Sequence, residues 1–157
     1  MLEDQSAADE FYMMAALDLA ALAAEYDDVP VGCVVVRDGH IIAAECNGRE
    51  VFRDATYHAE TAAISKAGRL LGGWRLTRST LYVTLEPCPM CSGAIWCARV
   101  PRVVIGARDP KAGMYGSLLD LNEDPVNHKP EITFGILEEE AKVLLQGFFK
   151  KKRESKK

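Results

Sequence analysis

Features that define several other protein classes are missing from this sequence of 157 residues. No apolar run approaches the roughly 20 residues that a membrane-spanning helix needs, so we expect no membrane association. No low-complexity tract or internal repeat occurs, which argues against a disordered or repeat architecture. The N-terminal segment is acidic and polar, and it lacks the basic and apolar regions of a secretory signal. The sequence therefore predicts one globular domain over residues 1–157, located in the cytoplasm.

Histidine and cysteine are few: the chain has three His and five Cys. An odd number of cysteines, two of them three residues apart, fits a reducing compartment better than a disulfide scaffold. Cys33, Cys46 and Cys97 each lie in an apolar run, where a free cysteine is usually a small core residue. No second Cys-x-x-Cys or His pair completes a structural zinc site with four protein ligands. These absences favour a metal site with three protein ligands.

Two short motifs supply such ligands: His58-Ala59-Glu60 and Pro87-Cys88-Pro89-Met90-Cys91. A catalytic zinc ion keeps three protein ligands and one open position, and it prefers nitrogen and thiolate sulfur. His58, Cys88 and Cys91 provide those three ligands and leave Glu60 free to move protons. The pattern is the signature of zinc-dependent nucleobase deaminases, in which the Glu is a general acid and base and not a ligand.

Helix geometry restricts how these residues meet. Helical residues advance by about 100° each, so His58 and Glu60 cannot share a helix side. Both reach one ion only if it lies off the N-terminal end of a helix that begins at His58. Cys88 and Cys91 do share a face, and Pro87 suits a helix start. Two helix N-termini would then point at the metal, and their positive ends favour the thiolate form of the cysteines.

Helix and strand signals alternate along the rest of the chain. The first half of the chain predicts a helix from a capping-box pattern at 6–9 to about 26, strands at 31–36 and 41–46 joined by an Asp38-Gly39 turn, and a loop at 48–56. A second helix is predicted from 58 to about 67, and Gly68 or Gly72-Gly73 ends it. The remaining predicted elements are a strand at 81–85, a helix at 88–98, a strand at 103–107, a long loop at 108–130, a short strand near 131–134 and a C-terminal amphipathic helix. This order predicts a three-layer α/β/α sandwich with a mixed central sheet of about five strands. Ligands in such sheets gather beyond strand ends, where both zinc helices begin.

Charge is distributed unevenly along the chain. The formal net charge is −4, yet residues 150–157 hold six Lys/Arg and one Glu. A basic C-terminal helix end can contact phosphates, although a solvated terminus has the same composition. Phe148 and Phe149 precede this end, and we expect at least one of the rings to lie in the core. The other ring could then face a base.

On these residues the chain resembles the bacterial tRNA adenosine deaminases, a family of the cytidine deaminase-like superfamily. The likeness extends from about residue 29 to residue 153. The metal motif alone is shared with cytidine, cytosine, guanine and riboflavin-pathway deaminases. The segments that point to the tRNA family are Gly106-Ala107-Arg108-Asp109, Asn127-His128, and Phe148-Phe149 with its basic helix end.

The resemblance implies hydrolytic deamination of adenosine to inosine at the wobble position of the tRNA(Arg) anticodon, with release of ammonia. It also implies a homodimer with composite sites that binds the tRNA anticodon stem-loop, and one Zn²⁺ per subunit. In the mechanism we expect, zinc-bound hydroxide attacks C6, and Glu60 passes the water proton to N1 and in a separate transfer protonates the departing amine. The substrate-binding positions that carry over are Asn47, Asp109, Lys111, Asn127, Phe148, Phe149 and Arg153.

Some residues depart from the family pattern, and other functions use the same motif. Ala55 and Tyr57 replace a usual proline and alanine, and Met114 and Tyr115 are larger than the usual side chains at their positions. We expect these changes to affect the shape of the pocket and to leave the chemistry intact. A deaminase of free bases or nucleosides (guanine, cytosine, cytidine) would share the zinc chemistry without RNA. A non-catalytic zinc protein would have no use for Glu60.

Overall fold

The computed structural model describes residues 4–156 of the chain. Its helices are α1 (Gln5–Glu25), α2 (Arg49–Phe52), α3 (Ala59–Leu71), α4 (Pro89–Ala98) and α5 (Glu138–Ser155). Its strands are β1 (Gly32–Arg37), β2 (His40–Cys46), β3 (Ser79–Leu85), β4 (Arg102–Ala107) and β5 (Glu131–Phe134). Across the described residues, every helix is too short or too polar to cross a membrane.

The five strands form one mixed sheet in the order β2-β1-β3-β4-β5. β1 and β2 make the predicted hairpin, and its turn places Asp38 and Gly39 at φ angles of 51° and 76°. A two-residue hairpin turn of this kind requires positive φ, which explains the Asp-Gly pair. β3 lies in the middle, antiparallel to β1 and parallel to β4, which in turn is parallel to β5. The prediction of a mixed sheet with about five strands is confirmed.

Helices cover both faces of this sheet. α1 and α5 bury one apolar cluster against it, and α3 and α4 bury a larger cluster on the opposite face. Successive strand residues point to opposite faces, so Val34 belongs to the first cluster and Val35 to the second. In β3, Tyr82 likewise belongs to the first cluster and Val83 to the second. The predicted three-layer α/β/α architecture is therefore confirmed.

The capping box predicted for α1 does not form. Asp4 caps the helix instead, and its carboxylate accepts a hydrogen bond from the Ser6 N–H at 3.1 Å. The expected partner Asp9 is buried, where it accepts two hydrogen bonds from Arg102 at 2.8 Å and one from the Tyr82 hydroxyl at 2.8 Å. Burial by itself would raise the pKa of Asp9, but the hydrogen bonds, led by those of Arg102 and Tyr82, hold this pKa below its usual value. The prediction was wrong because a buried ion pair with β4 engages the Asp9 carboxylate.

Other boundaries also differ from the sequence prediction. The 48–56 segment, predicted as a loop, contains α2. α3 continues through Gly68, which packs so closely that a Cβ atom there would lie 3.3 Å from the Gly73 carbonyl oxygen. The helix ends at Leu71 with Gly72 as its C-cap at a φ of 72°, which confirms the second of the two predicted ends, Gly72-Gly73. α4 starts at Pro89, one residue after the predicted start at Cys88, which is the N-cap residue.

The predicted C-terminal helix α5 is confirmed, with acidic residues in its first turn and basic residues in its last turn. Its first turn carries Glu138, Glu139 and Glu140, and its last turn carries Lys152 and Arg153. Acidic groups at a helix start and basic groups at its end complement the helix dipole. Nζ of Lys152 also lies 2.7 Å from a carboxylate oxygen of Asp27, which ties the basic end of α5 to the segment after α1.

Candidate metal centre and active site

The two zinc motifs lie at the starts of α3 and α4. His58 and Cys88 are the N-cap residues, both in extended backbone conformation with ψ angles of 155° and 175°. Pro89 favours the start of α4 because its ring fixes φ and it has no N–H group that needs a partner. Both helices thus direct their N-terminal ends at one point, as the sequence predicts.

The Asn47 side chain fixes the start of α3 from outside the helix. Its Oδ1 accepts a hydrogen bond from the Ala59 N–H at 2.8 Å, and its Nδ2 donates one to the Val29 carbonyl at 3.1 Å. The Thr61 hydroxyl accepts from the His58 N–H at 3.2 Å. These bonds satisfy N–H groups that a helix start leaves without partners. Asn47, a predicted substrate contact, therefore also positions a predicted metal ligand.

The three predicted ligand atoms are arranged as zinc requires. Nδ1 of His58 lies 3.6 Å from Sγ of Cys88 and 3.4 Å from Sγ of Cys91. All three atoms lie within 4.8 Å of one another. Tetrahedral zinc, with Zn–S near 2.3 Å and Zn–N near 2.0–2.1 Å, separates nitrogen from sulfur by about 3.5 Å. The residues fit zinc and leave its fourth position open. Among residues 4–156, no other three His, Cys, Asp or Glu side chains meet this criterion.

The two thiols differ in their proton affinity. A hydrogen bond from the Cys91 thiol lowers the pKa of Cys88 to about 4, with help from His58 and against the effect of burial. The pKa of Cys91 is raised because its thiol donates to Cys88 and is buried. Cys88 is therefore a thiolate at neutral pH, which is the form that binds a metal.

Glu60 is the second residue of α3 and is buried beside the ligands. Burial raises the pKa of its carboxyl to about 7, while the neighbouring His58 opposes this shift. A general acid and base works best when its pKa lies near the working pH. Glu60, His58 and Cys88 line a pocket of about 170 Å³, which we call the metal pocket. The other residues that line the metal pocket are Val29, Val31, Asn47, Arg49, Leu85, Glu86, Asp109 and Ala112.

One wall of the metal pocket comes from α2, which the sequence did not predict. Arg49 contributes this wall, and its Nε lies 3.4 Å from Oδ1 of the buried Asp28. Asp28 also accepts hydrogen bonds from the Val29 N–H at 2.9 Å and the Glu50 N–H at 3.0 Å. A four-residue helix capped by a carboxylate 22 positions earlier has no local sequence signal.

Glu86 is a second buried carboxylate at the metal pocket, and no role was predicted for it from the sequence. Its oxygens accept hydrogen bonds from the N–H groups of Asp109 at 3.1 Å, Tyr115 at 3.0 Å and Ser117 at 3.2 Å. The Ser117 hydroxyl donates a fourth. The segment 109–117, which we call the substrate loop, is therefore folded around this side chain.

Asp109, a predicted substrate contact, lies in the wall of the metal pocket. Its Oδ1 accepts hydrogen bonds from the Lys111 N–H at 3.0 Å and the Ala112 N–H at 3.3 Å. An aspartate that bonds to the backbone just after it in this way forms a tight turn. Asp109 thus shapes the substrate loop in addition to facing the pocket.

Three more predicted substrate residues meet in a separate cavity of about 440 Å³, which we call the basic cavity. Its lining residues are Lys111, Leu145, Gln146, Phe149, Lys152, Arg153 and Lys156. Phe149 is 45% exposed, so its ring is accessible from solvent. Phe148 is half-buried and packs edge-to-face against Phe149 with ring centroids 5.4 Å apart. Neither ring belongs to the two apolar clusters, so the expectation that at least one would lie in the core was wrong.

Asn127 lies outside both cavities. Its Oδ1 accepts a hydrogen bond from Nε1 of Trp96 at 2.7 Å. Trp96 belongs to the C-terminal half of α4, and the helix rise places its backbone about 12 Å from Cys88. The structure of one chain does not bring Asn127 to the metal pocket, and its substrate contact stays a prediction.

The departures from the family pattern lie away from the pocket walls. The Tyr57 ring stacks on Phe52 with centroids 4.4 Å apart, and its hydroxyl donates to Glu45 at 3.4 Å. Gly48 lies under this pair, because a Cβ atom there would come within 2.7 Å of the Phe52 ring and 2.9 Å of the Tyr57 ring. Tyr115 is buried in the larger core cluster. Tyr57 therefore braces the segment before His58, and Tyr115 fills the core.

An apolar groove of about 670 Å³ runs along the outer surface of α3 and α4. Residues that line it include Ile64, Gly68, Trp74, Ala94 and Cys97. Trp74 is 55% exposed, and Cys97 is exposed as well. The core position predicted for Cys97 was wrong, since this side of α4 faces outward.

Comparison with known proteins agrees with this geometry. The family model for the cytidine and deoxycytidylate deaminase zinc-binding region matches residues 6–107. The tRNA-specific adenosine deaminase of Bacillus subtilis (strain 168) is 48% identical over 150 residues, which covers 95% of this chain and 93% of that protein. The tRNA-specific adenosine deaminase of Haemophilus influenzae is 45% identical over 151 residues, or 95% of this chain and 87% of that protein.

Solved structures give the same result. One from biochemical and structural studies of A-to-I editing by tRNA:A34 deaminases has a TM-score of 0.84 at 43% identity, and it covers 86% of this chain and 99% of its own. The guanine deaminase of Bacillus subtilis has a TM-score of 0.61 at 41% identity over 63% of this chain and 64% of its own. The three metal ligands, the buried Glu60 and these similarities lead to one conclusion: the chain belongs to the tRNA-specific adenosine deaminases, a family of zinc-dependent enzymes with the cytidine deaminase-like fold.

Proposed function

We propose that this protein deaminates adenosine to inosine at the wobble position of the tRNA(Arg) anticodon and releases ammonia. The observation that carries the proposal is the placement of the substrate loop. This loop forms part of the metal pocket through Asp109 and Ala112, and part of the basic cavity through Lys111. A reactive pocket that takes one base thus adjoins a surface suited to the phosphates around that base.

Glu60 is the proton carrier of the proposed reaction. Zinc held by His58, Cys88 and Cys91 would make hydroxide available near neutral pH for addition to C6 of the adenine. Glu60 takes the proton that the attacking water loses and delivers it to N1 of the base. It next takes the second proton from the hydroxyl group now on C6 and gives it to the amine, so that the C6–N bond breaks, C6=O forms and ammonia leaves. A buried carboxyl with a pKa of about 7 suits both transfers, because it can hold or release a proton near neutrality.

The basic cavity supports an RNA substrate. Its charged residues are Lys111, Lys152, Arg153 and Lys156, and the exposed Phe149 ring lies among them. Basic side chains bind the phosphate backbone, and aromatic rings stack on unpaired bases. An anticodon loop presents such unpaired bases, so the target base reaches the metal pocket without disruption of a duplex.

A homodimer forms part of the proposal. The apolar groove on α3 and α4 exposes Trp74 and Cys97 and has the composition of a surface that a second copy covers. Asn127 lies near the C-terminal half of the same α4. In a dimer packed along α4, it could therefore approach the metal pocket of the partner. The five free cysteines fit the reducing conditions of the cytoplasm, where we place the reaction.

The first test compares substrates on the zinc-loaded protein. The substrates are an arginine-tRNA anticodon stem-loop, free adenosine, guanine and cytidine, and the products are separated by chromatography. We expect inosine only at the wobble position of the stem-loop. A matched Glu60→Gln protein should keep its zinc and lose about 10²–10⁴-fold in turnover, because it cannot carry the proton. Full activity of Glu60→Gln would contradict the mechanism.

A deaminase of free bases is the second candidate function. The similarity to the guanine deaminase of Bacillus subtilis favours it, since that likeness covers 63% of this chain. The same experiment separates the two functions. Turnover of guanine or cytidine, with none on the stem-loop, would keep the role of Glu60 and overturn the RNA substrate.

A further inference from the structure

Among the buried acidic groups of residues 4–156, Glu60 and Glu86 form no ion pair, and Glu86 is the one of the two that lies outside the proposed proton transfer. Its side chain is 2% exposed, and the ion pairs formed within residues 4–156 do not include it. Asp9 and Asp28 are also buried, but they contact Arg102 and Arg49. A buried carboxylate without a counter-ion is costly unless hydrogen bonds replace its lost hydration.

The substrate loop supplies all of the hydrogen bonds found for the Glu86 carboxylate. Three backbone N–H groups, from Asp109, Tyr115 and Ser117, donate to it at 3.0–3.2 Å. The Ser117 hydroxyl donates as well. Hydrogen bonds to an ionised acceptor are roughly twice as strong as neutral ones. The loop conformation and the buried charge therefore stabilise each other.

Gly113 shows how closely the loop fits the carboxylate. A Cβ atom at this position would lie 2.3 Å from Cδ of Glu86 and 2.6 Å from the Asp109 carbonyl oxygen. No side chain larger than hydrogen fits unless the loop moves. The Met114 N–H also donates to the Pro87 carbonyl at 3.0 Å, which adds a second contact between the loop and the metal motif.

The position of Glu86 gives these contacts a functional meaning. It follows the last residue of β3 and precedes the ligand Cys88 by two residues. The loop that it holds carries Asp109 and Ala112 in the metal pocket and Lys111 in the basic cavity. Glu86, together with the hydrogen bond from Met114 to Pro87, thus holds the residues that line the two cavities at a set distance from the metal motif.

We propose that Glu86 is a positioning residue, which holds the substrate loop over the metal pocket and so sets the affinity for the RNA substrate. It acts through Asp109, Ala112 and Lys111 and has no part in metal binding. This inference rests on the proposed function, since it assigns the loop to RNA recognition.

The test replaces the carboxylate by an amide of the same size, Glu86→Gln. The amide NH₂ would face backbone N–H donors, so at least one acceptor is lost and one donor opposes another. We expect zinc content and circular dichroism to match the wild type. Hydrogen exchange at the Tyr115 and Ser117 amides should accelerate by about tenfold or more for each lost bond of about 1.4 kcal/mol. For the stem-loop, KM should rise by a larger factor than kcat falls.

Two further variants complete the test. Gly113→Ala keeps the Glu86 carboxylate but places a methyl group between it and the loop, so it should reproduce the rise in KM even if Glu86→Gln folds poorly. Asp9→Asn removes a buried carboxylate under the opposite face of the sheet, and it should lower stability without a change in KM or in loop exchange. Wild-type exchange and KM in both loop variants would overturn the proposal, and so would loss of zinc from Glu86→Gln. If the wild type proves to act on free bases only, the proposed function fails, while the exchange data still decide whether Glu86 holds the loop.

Discussion

The metal pocket and the basic cavity share the substrate loop, yet they are built from different kinds of structure. The ligands and Glu60 belong to the first turns of two helices that the core holds in place, and they are buried or half-buried. The basic cavity is formed by long side chains on the last turns of α5 and by one loop lysine. Positions held by the core keep distances to within a fraction of an ångström, whereas flexible exposed charges provide attraction without fixed geometry. In the proposed function, the metal pocket therefore carries out the chemistry and the basic cavity supplies affinity for RNA.

The largest effect on turnover is expected from a substitution that removes a metal ligand and leaves the basic cavity unchanged. Cys91→Ser removes the buried sulfur of a predicted zinc ligand, so the protein should lose its zinc and its turnover of the stem-loop should fall to background. Binding of the stem-loop should persist, because the charges of the basic cavity are unchanged. Zinc analysis, turnover and RNA affinity measured on the same preparation check this. Zinc retained at one ion per chain with full turnover would contradict the assignment of the ligand.

A smaller effect is expected from Arg153→Ala, which changes the basic cavity and leaves the metal pocket intact. The loss of one phosphate contact should weaken binding of the stem-loop and reduce the slope of log affinity against log salt by about 1. Zinc content and kcat should stay as in the wild type. Lys142→Ala is the matched control, since it removes the same charge from α5 at a position paired with Glu138 and Glu139. An equal effect of both substitutions would show that overall charge, and not the cavity, decides affinity.

The smallest effect on turnover is expected for Asp9→Asn, which touches neither region. Loss of the Asp9 carboxylate should lower the free energy of unfolding by about 3 kcal/mol at neutral pH, because Arg102 loses a buried partner. The pKa of Asp9 is depressed in the folded state, so its contribution is present above the ordinary carboxyl pKa and is lost as pH falls through the folded value. Stability of the variant should therefore depend less on pH below about 4. Urea unfolding over a pH series measures this, and an unchanged acid limb would contradict it.

The features that could be predicted from the sequence are those encoded by residues close together in the chain. The ligands, Glu60 and the hairpin turn follow from spacing and residue chemistry within a few positions. The cap of α3 by Asn47, the cap of α2 by Asp28 and the loop anchor Glu86 join residues that are 12, 22 and up to 31 positions apart. Such pairs carry no periodic signal, so they emerge only from the folded chain.

Asp9 and Asn127 illustrate the same limit in two ways. The capping-box pattern at Asp9 was a real local signal, but an arginine 93 positions later engages the carboxylate. Asn127 belongs to a family motif, yet within one chain its partner is Trp96. A motif identifies the residue type at a position, while the surrounding fold decides what that residue contacts.

The place of β3 between β1 and β4 also bears on how the protein assembles. Cys33 of β1 pairs with Val83 of β3, and the intervening chain must form a large loop that includes α3. Closing such a loop is slow, because the chain loses conformational entropy before the contacts between the paired strands can stabilise it. His58 lies before β3 and both cysteine ligands lie after it, so they meet only when this strand is in place. We therefore expect zinc capture to mark the completion of the central sheet during folding, and the bound ion to lock a topology that the chain has already reached.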